Sequence, residues 1–560
     1  AGEWTVCPAP KGVGPGELRV LPTGSAKALV GDRRWAQYEL EADVQPGGGP
    51  AGIVFLHRDE SNYYSATVDG KLLRLTSVVD GRVTVVDSMP LAEATGPVHL
   101  KASIRRGHVR VVANNTVSVE TFAGDVSLKG RAGFIVDGTR GGKPCAFSRF
   151  RLFFLPEREP LVTTNAIFED ELTMNDWTSP TSEWYPPKEQ LLVEGRPVTL
   201  LWHRSQFPGD VELMVEPREF PDSKDPRYEI ALSVAKDGQG KNNGYVFRYK
   251  SGEGADSASR TCIAQVLRQG EIKVERTLPE DPRPLASAAI RRCGKYVVGI
   301  VNGQPVASYR DENPLVGNKV AYYTQGVVVR SEATKITSDN FRNDLFSRAP
   351  TAWRMAGAAI AEVTNRWQCD PRWSFFSLKN ERRKGKPAVL WSKYLYPGDV
   401  TVEFFVGNKM EGERGQPYTY VRDINVTIGS EGSDLTKGYT FMFGGHNNAG
   451  SLILRNGVEV KRHGARIPMD MNYHRHWFAF KVEKQGGRLT FRVDRFFSSD
   501  NKQSELVYED EQPLQGDHVA IWTYDNAIML SRVRISGDGG NVAEHPDWQP
   551  EPLVTPYDGK

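Results

Sequence analysis

Residues 195–215 read GRPVTLLWHRSQFPGDVELMV, and residues 385–406 read GKPAVLWSKYLYPGDVTVEFFV. In each, an apolar run ends at a tryptophan, Trp202 or Trp391. The step from there to Pro208-Gly209-Asp210 equals the step to Pro397-Gly398-Asp399. Proline and glycine in tandem read as a turn, and an alternating apolar stretch follows each turn, the period of a strand with one buried face.

Working outward, the correspondence continues at an offset of about 190 residues. NNGYVFRY (242–249) matches TKGYTFMF (436–443), KYVVGIVNGQPVASY (295–309) matches RLTFRVDRFFSS (488–499), and KVAYYTQGVVVRS (319–331) matches HVAIWTYDNAIMLSRVRIS (518–536). The first part of the chain shows the same order of strand types in a shorter, divergent form. In QYELEADV (37–44), Tyr38, Leu40, Ala42 and Val44 share one face and Glu39, Glu41 and Asp43 the other. Asp69-Gly70 and Asp80-Gly81 suit tight hairpins. An internal repeat with strands at short spacing predicts a sandwich or barrel architecture.

The fold class expected is all-β: three tandem antiparallel jelly-roll β-sandwich domains. They are placed at 1–157 (the divergent copy), 158–338 and 339–538, with an extended C-terminal tail at 539–560. The stretch Thr351–Trp367 has the alanine content of a helix, but its position in the repeat is strand-like, and strand is the expectation.

The bulk numbers agree. A chain of 560 residues exceeds one core. With 71 Lys and Arg against 69 Asp and Glu, the net charge of +2 offers no basic surface for nucleic acid. No apolar run is long enough to span a bilayer. The chain opens at Ala1 without a charged-then-apolar leader, as after removal of a signal peptide. Five cysteines are present. Pairing Cys7 with Cys145 and Cys262 with Cys293 suits an oxidising compartment and leaves Cys369 over; five reduced thiols are the alternative.

The stretches WQCDPRWSFF, LWSKYLYPGDVTVEFFVG, DINVTIGSEGSDLTKGYTFMFGG and HRHWFAFKVEKQGGRLTFRVD in the third repeat resemble concanavalin A-like lectin/glucanase (laminin-G-like) sandwich domains. The closest group is the bacterial 3-keto-disaccharide hydrolase-like domain family. The resemblance covers the second and third repeats well and the first loosely. It implies two antiparallel sheets packed face to face, one of them curved, in a fold that hosts enzymes, lectins and adhesion modules alike. Related sandwiches often hold calcium in Asp- and Asn-rich loops, and Asp237 and Asp434 are the candidates here.

Several chemistries lack their signatures: HExxH, CxxC, the GxSxG elbow and the Walker A loop are all missing. So is the Glu-x-Asp-x-x-Glu strand of jelly-roll glucanases. In VTVEFFV, Val400, Val402, Phe404 and Val406 are assigned to the core, while Glu403 points outward, either as an acid/base group or as a glutamate paired across strands. Tyr418, Tyr420, Arg422, Asp423 and Asn425 form a polar and aromatic cluster, and His446, Asn447 and Asn448 follow in a loop. Aromatic faces stack on sugar C–H surfaces while amides and carboxylates reach the hydroxyls, so these are the ligand-binding candidates. Turn and core roles are the ordinary alternative. Glu403, Asp423 and His446 are the catalytic candidates if the chain is an enzyme. Trp202 and Trp391 are assigned to core packing.

The function expected is an exported, non-catalytic surface protein that binds a polysaccharide or glycan, or a protein partner at the envelope. No cofactor is required, calcium is optional, and no membrane span is expected. Glycoside cleavage by the third domain is the first alternative. A structural subunit that associates with itself or with other envelope proteins is the second.

Overall fold

A computed structural model of the chain describes residues 3–7, 17–21, 24–47, 49–69, 71–92, 96–124, 128–138, 143–155, 161–162, 177–178, 192–193, 199–203, 205–219, 228–237, 243–251, 261–279, 285–344, 352–356, 367–370, 374–377, 387–408, 423–445, 449–464, 478–493, 505–524, 528–537 and 543–544. Alternation dictates what these residues build. Along Tyr38–Gln45, burial switches at every residue, with Tyr38, Leu40, Ala42 and Val44 inside. A strand patterned this way must lay one face on another sheet.

Among the described residues six large antiparallel sheets close in pairs on three hydrophobic cores, and a two-stranded sheet joins Tyr394–Leu395 to Ala543–Glu544. Sheets I and II enclose the core that contains Tyr38, Ile53, Leu100 and Phe147. Sheet III (Leu161–Val162, Val327–Ser338, Val211–Glu219, Ala288–Cys293, Tyr296–Val301, Gln304–Arg310) and sheet IV enclose Leu213, Leu232, Phe247 and Tyr322. Sheet V (Trp367–Asp370, Ser374–Ser377, Ile528–Gly537, Val400–Asn408, Phe478–Gln485, Arg488–Val493, Leu506–Glu509) and sheet VI enclose Val402, Val426, Phe441 and Phe480. The protein is therefore a tandem of antiparallel β-sandwiches. Among the described residues no helix is long and apolar enough to cross a membrane.

Sheet IV runs Trp177–Thr178, Thr199–His203, Lys319–Gln325, Glu229–Lys236, Tyr245–Ser251, Thr261–Arg268 and Glu271–Pro279, neighbour by neighbour. Sheet VI runs Trp353–Ala356, Ala388–Ser392, His518–Thr523, Ile424–Ser430, Tyr439–Gly444, Gly450–Arg455 and Val458–His463 in the same spatial order. Within Thr351–Trp367, Trp353–Ala356 is strand and Trp367 opens another; 357–366 lie outside the described residues.

The Pro-Gly-Asp step has an atomic reason. Gly209 and Gly398 take φ of 76° and 82°, the left-handed region that favours glycine. The aspartate that follows each accepts the N–H of the hairpin turn that ends the neighbouring strand of the same sheet: Gly294 N donates to Asp210 Oδ1 at 2.7 Å, and Gly486 N to Asp399 Oδ1 at 2.7 Å. A second contact also recurs. The Tyr245 hydroxyl and Arg268 Nε both donate to Asp311 Oδ2, at 2.5 and 2.6 Å. The Tyr439 hydroxyl and Arg455 Nε both donate to Asp510 Oδ2.

The first sandwich docks on the outer face of sheet III. That face carries Ala289, Val298 and Ile300, with Met214 and Tyr296, and Phe122 of the first sandwich packs against it. The registers place Glu403, Lys481, Thr490 and Arg492 at the matching positions of sheet V. One face is apolar and covered; the other is charged. Around the apolar contact lies a polar ring. Glu212 is fully enclosed between Arg106 Nη1 at 2.8 Å and Arg291 Nε at 2.6 Å. Glu120 accepts from Lys295 N at 3.0 Å and faces His108 Nε2 at 3.0 Å. Burial pushes the Glu212 carboxyl up, but the guanidiniums of Arg291 and Arg106 outweigh it and hold it below the usual carboxylate range. Glu120 is likewise lowered: burial raises it, and His108, the Lys295 N–H and the charge of Arg110 together more than offset that.

The expected disulfides are corrected. Cys7, Cys145, Cys262 and Cys293 are free thiols. Cys7 and Cys145 do not lie side by side, because strand Glu17–Leu21 runs between them, with Cys7 opposite Glu17 and Cys145 opposite Val20. A three-residue offset is about 10 Å along a strand, beyond the reach of a bridge. Cys262 sits in the core on sheet IV, while Cys293 belongs to sheet III, on the other side of that core. Cys369 lies in strand Trp367–Asp370.

Candidate functional site

The expected cluster of the third repeat falls mostly on Tyr418, Tyr420, Arg422, His446, Asn447 and Asn448, which lie outside the described residues. Two members are placed. Asn425 Nδ2 donates to Asp423 Oδ1 at 3.1 Å, and Tyr524 N donates to Asp423 Oδ2 at 2.8 Å. Asp423, at φ 59°, thereby fixes the entry to strand Ile424–Ser430.

Glu403 is on the outward face of sheet V, with Arg534 Nη1 at 3.3 Å and Lys481 Nζ at 4.0 Å. Its neighbours Val402 and Phe404 are in the core, as expected. Since Asp423 introduces sheet VI, across that core, the two carboxylates do not converge. Asp434 Oδ1 accepts from Thr436 N and Oγ1 at 2.9 and 2.7 Å, closing its own turn. Asp237 is exposed. Among the described residues no group of three or more His, Cys, Asp or Glu side chains is set to hold a metal ion.

Trp202 and Trp391 are buried in apolar packing, as expected, but in small clusters apart from the sandwich cores. Leu201 and Leu390 fill the sandwich cores, so period two turns the next residue to the opposite face. Trp202 joins Ala231, Val246, Leu267, Ala321 and Tyr323 on the outer face of sheet IV. Trp391 joins Val389, Ala520 and Trp522 on the outer face of sheet VI.

The outer face of sheet IV is organised in two adjacent cross-strand rows. One runs Trp202, Ala321, Ser233, Val246, Leu267. The next runs Tyr323, Ala231, Arg248, Gln265, Glu275. Arg248 Nη1 donates to Gln265 Oε1 at 3.3 Å, and Gln265 Nε2 donates to Glu275 Oε2 at 2.5 Å. Arg248 Nε lies 3.2 Å from Glu229 Oε1. Burial, then the neighbouring Glu229 carboxylate, drives the Tyr323 phenol well above its ordinary pKa. The row grades from fully buried at Tyr323 to exposed at Glu275.

At the apolar end, Lys236 Nζ stands 4.8 Å from the centre of the Trp202 ring and donates to Asn243 O at 2.8 Å. Burial lowers its pKa to about 8. The Trp202 indole N–H is buried and has no hydrogen-bond partner.

Sheet VI repeats the plan with different chemistry. Its rows are Trp391, Ala520, Thr427, Thr440, Leu454 and Val389, Trp522, Asn425, Met442, Leu452. Trp522 Nε1 donates to Thr427 Oγ1 at 2.9 Å, and Asn425 Oδ1 is buried without a partner. Where sheet IV carries Arg248 and Gln265, sheet VI carries Met442 and Leu452. The graded polar row thus belongs to the second sandwich, not the third. Sequence reading passed over it because its five members come from five strands; the one local signal was that the two tryptophans follow leucines of opposite facing.

No protein-family model matches the chain, and no curated protein does. Solved structures that resemble parts of it include the carbohydrate-binding module CBM66 from Bacillus subtilis, at 16% identity over 27% of this chain and 92% of that one, TM-score 0.23. Bacillus licheniformis β-glucanase follows at 12% over 36% and 99%, TM-score 0.26. Lectin I-B4 from Griffonia simplicifolia matches at 11% over 35% and 98%, TM-score 0.25. Likeness of this extent assigns no activity.

Proposed function

We propose that the protein is an exported, non-catalytic carbohydrate-binding protein that engages polysaccharide at the accessible polar end of the outer face of sheet IV. The observation that carries this reading is the polar row of sheet IV, in which Arg248 is partly exposed and Glu275 exposed with Gln265 tied between them, whereas the row headed by Trp202 is buried along its length. A pyranose ring has an apolar C–H face and a rim of hydroxyls that both donate and accept. A guanidinium, an amide and a carboxylate in register suit that rim. The engagement of Glu403 by Arg534 and Lys481, and of Asp423 by its own loop, supports a binding role over glycoside cleavage, which needs two carboxyl groups about 5–10 Å apart across a bond.

Affinity electrophoresis of the full chain through gels cast with different soluble polysaccharides tests this. Retardation is expected in at least one, weakened about tenfold by Arg248→Ala or Gln265→Ala, a loss near 1.4 kcal/mol. Retardation unchanged in both variants, or none in any polysaccharide, removes sheet IV as the site.

A second reading, assembly through a sheet edge, has one observation in its favour. Edge strand Arg82–Pro90 exposes Val83 and Val85 at 66% and 55%, and bare apolar edges invite pairing. Light scattering after size exclusion distinguishes a monomer from such an assembly.

A further inference from the structure

Strand Phe341–Asp344 stands between the second and third sandwiches and belongs to both. Its backbone pairs with residues 533–536 of strand Ile528–Gly537, which makes it an added strand of sheet V. Its four side chains divide by period two. Phe341 is buried in the core of the second sandwich, its ring centre 6.2 Å from that of Phe207. Arg342 and Asp344 turn the other way. The Arg342 guanidinium lies 4.3 Å from the centre of the Tyr394 ring, and Trp353 Nε1 donates to Asp344 Oδ2 at 2.8 Å. Tyr394 and Trp353 belong to the core of the third sandwich.

Asn340, fully buried, fixes the start of the strand. Its carbonyl accepts from Gly537 N at 2.9 Å, and its Nδ2 donates to Gly537 O at 3.0 Å and to Gln206 O at 3.2 Å. Gln206 precedes Phe207 of the second core, and Gly537 ends a strand of sheet V. Arg534 completes the contact: it is buried, with its guanidinium 5.8 Å from the centre of the Phe341 ring. The same construction opens the second sandwich, where Leu161–Val162 pairs with Ile336 and Lys335 of sheet III. In both places the chain leaving one sandwich becomes a strand of the next.

We propose that strand Phe341–Asp344 is a clasp that makes the second and third sandwiches one cooperative body, with no hinge between them. Unfolding the third sandwich alone strips the strand of its ladder and Asn340 of Gly537, leaving polar groups unpaired beside the second core. Unfolding the second alone bares Phe341 to water and takes its ring away from Arg534. Each sandwich thus loses contacts when the other opens. The outer faces of sheets IV and VI are held in fixed relation, so a polymer touching both meets a preset spacing. The clasp uses no residue of the outer face of sheet IV, and the carbohydrate reading can fail while it stands.

Native-state hydrogen exchange of the full chain in graded urea, followed on the strands Glu229–Lys236 and Tyr439–Gly444, tests the clasp. Val426→Ala opens a cavity in the third core and is expected to speed exchange of both strands by the same factor, about tenfold. In a Phe341→Ala background the same substitution is expected to speed Tyr439–Gly444 alone. Phe341→Leu, which keeps an apolar plug in the second core, should restore the shared response. If Phe341→Ala does not fold, Asn340→Ala takes its place as the background. An unchanged rate in Glu229–Lys236 on Val426→Ala overturns the cooperative body. A shared response that survives in the clasp variant overturns the strand as its cause.

Discussion

Lys236 is the side chain most at odds with its surroundings. It is fully buried beside Trp202, and burial has brought its pKa down to about 8. A base whose folded pKa lies below its unfolded value near 10.5 lowers stability while the unfolded chain binds its proton more tightly. That cost is fully present below about pH 8 and fades as pH rises towards 10.5. Lys236→Met, which keeps the stem and removes the charge, should raise unfolding stability by about 1–3 kcal/mol at pH 7. Denaturant titration at pH 7 and again near pH 10 checks this, since the gain must shrink at the higher pH. A gain independent of pH would mean that the ammonium is not what the site resists. At the same scale, a Cβ at Gly294 (φ +53°) would stand 2.0 Å from Glu120 Oε2 of the first sandwich, so any side chain there must displace that carboxylate from His108 and the Lys295 N–H.

At the scale of elements, the recurring piece is a hairpin turn tied to the start of the neighbouring strand. Asp399 accepts from Gly486 in an exposed setting, while Asp210 makes the same bond to Gly294 where the first sandwich covers it. The two bonds are alike in length and differ in their access to water. Asp399→Ala should cost about 0.5–1 kcal/mol, because water replaces the lost acceptor. Asp210→Ala should cost about 2 kcal/mol, because its N–H is left without one. Urea unfolding of the two variants side by side measures the difference; equal costs would remove solvent access as its cause. The strand orders of sheets IV and VI and the paired Tyr245–Asp311 and Tyr439–Asp510 contacts show how one backbone plan carries outer faces of unlike chemistry. Hairpin ties and core positions specify the plan, and the outward positions are left free to vary.

For the whole molecule, the joint between the first two sandwiches is the feature with the largest expected response to pH. Glu212 and Glu120 are both held below the usual carboxylate range. A depressed carboxylate contributes stability that is present above its unfolded pKa, near 4.3, and is lost as pH falls through the folded one. The thermal midpoint of the first sandwich should therefore hold from pH 7 to about 5 and drop below about 4.5. Glu212→Gln should be less stable by about 3 kcal/mol at pH 7 and should lose less on acidification, having no charge there to neutralise. Calorimetry across that range decides it; identical acid profiles for both proteins would show that the triad does not govern the joint.

Much of this architecture was legible in the residue order. Period-two alternation, Pro-Gly-Asp steps and matched segments are local patterns, and a strand with one apolar face has little choice but to be covered by a second sheet. Core positions such as Val402 and Phe404 follow directly. What only the tertiary structure decided is lateral. Tyr323, Arg248, Gln265 and Glu275 lie on four strands, and Arg106 meets Glu212 across two sandwiches. Register between strands and docking between sandwiches depend on the sum of many weak contacts along whole faces, so no single stretch of sequence encodes them. The same reason explains why the cysteines are not bridged. Sequence sets which side of a strand a residue takes; only the assembled sheets determine what stands opposite.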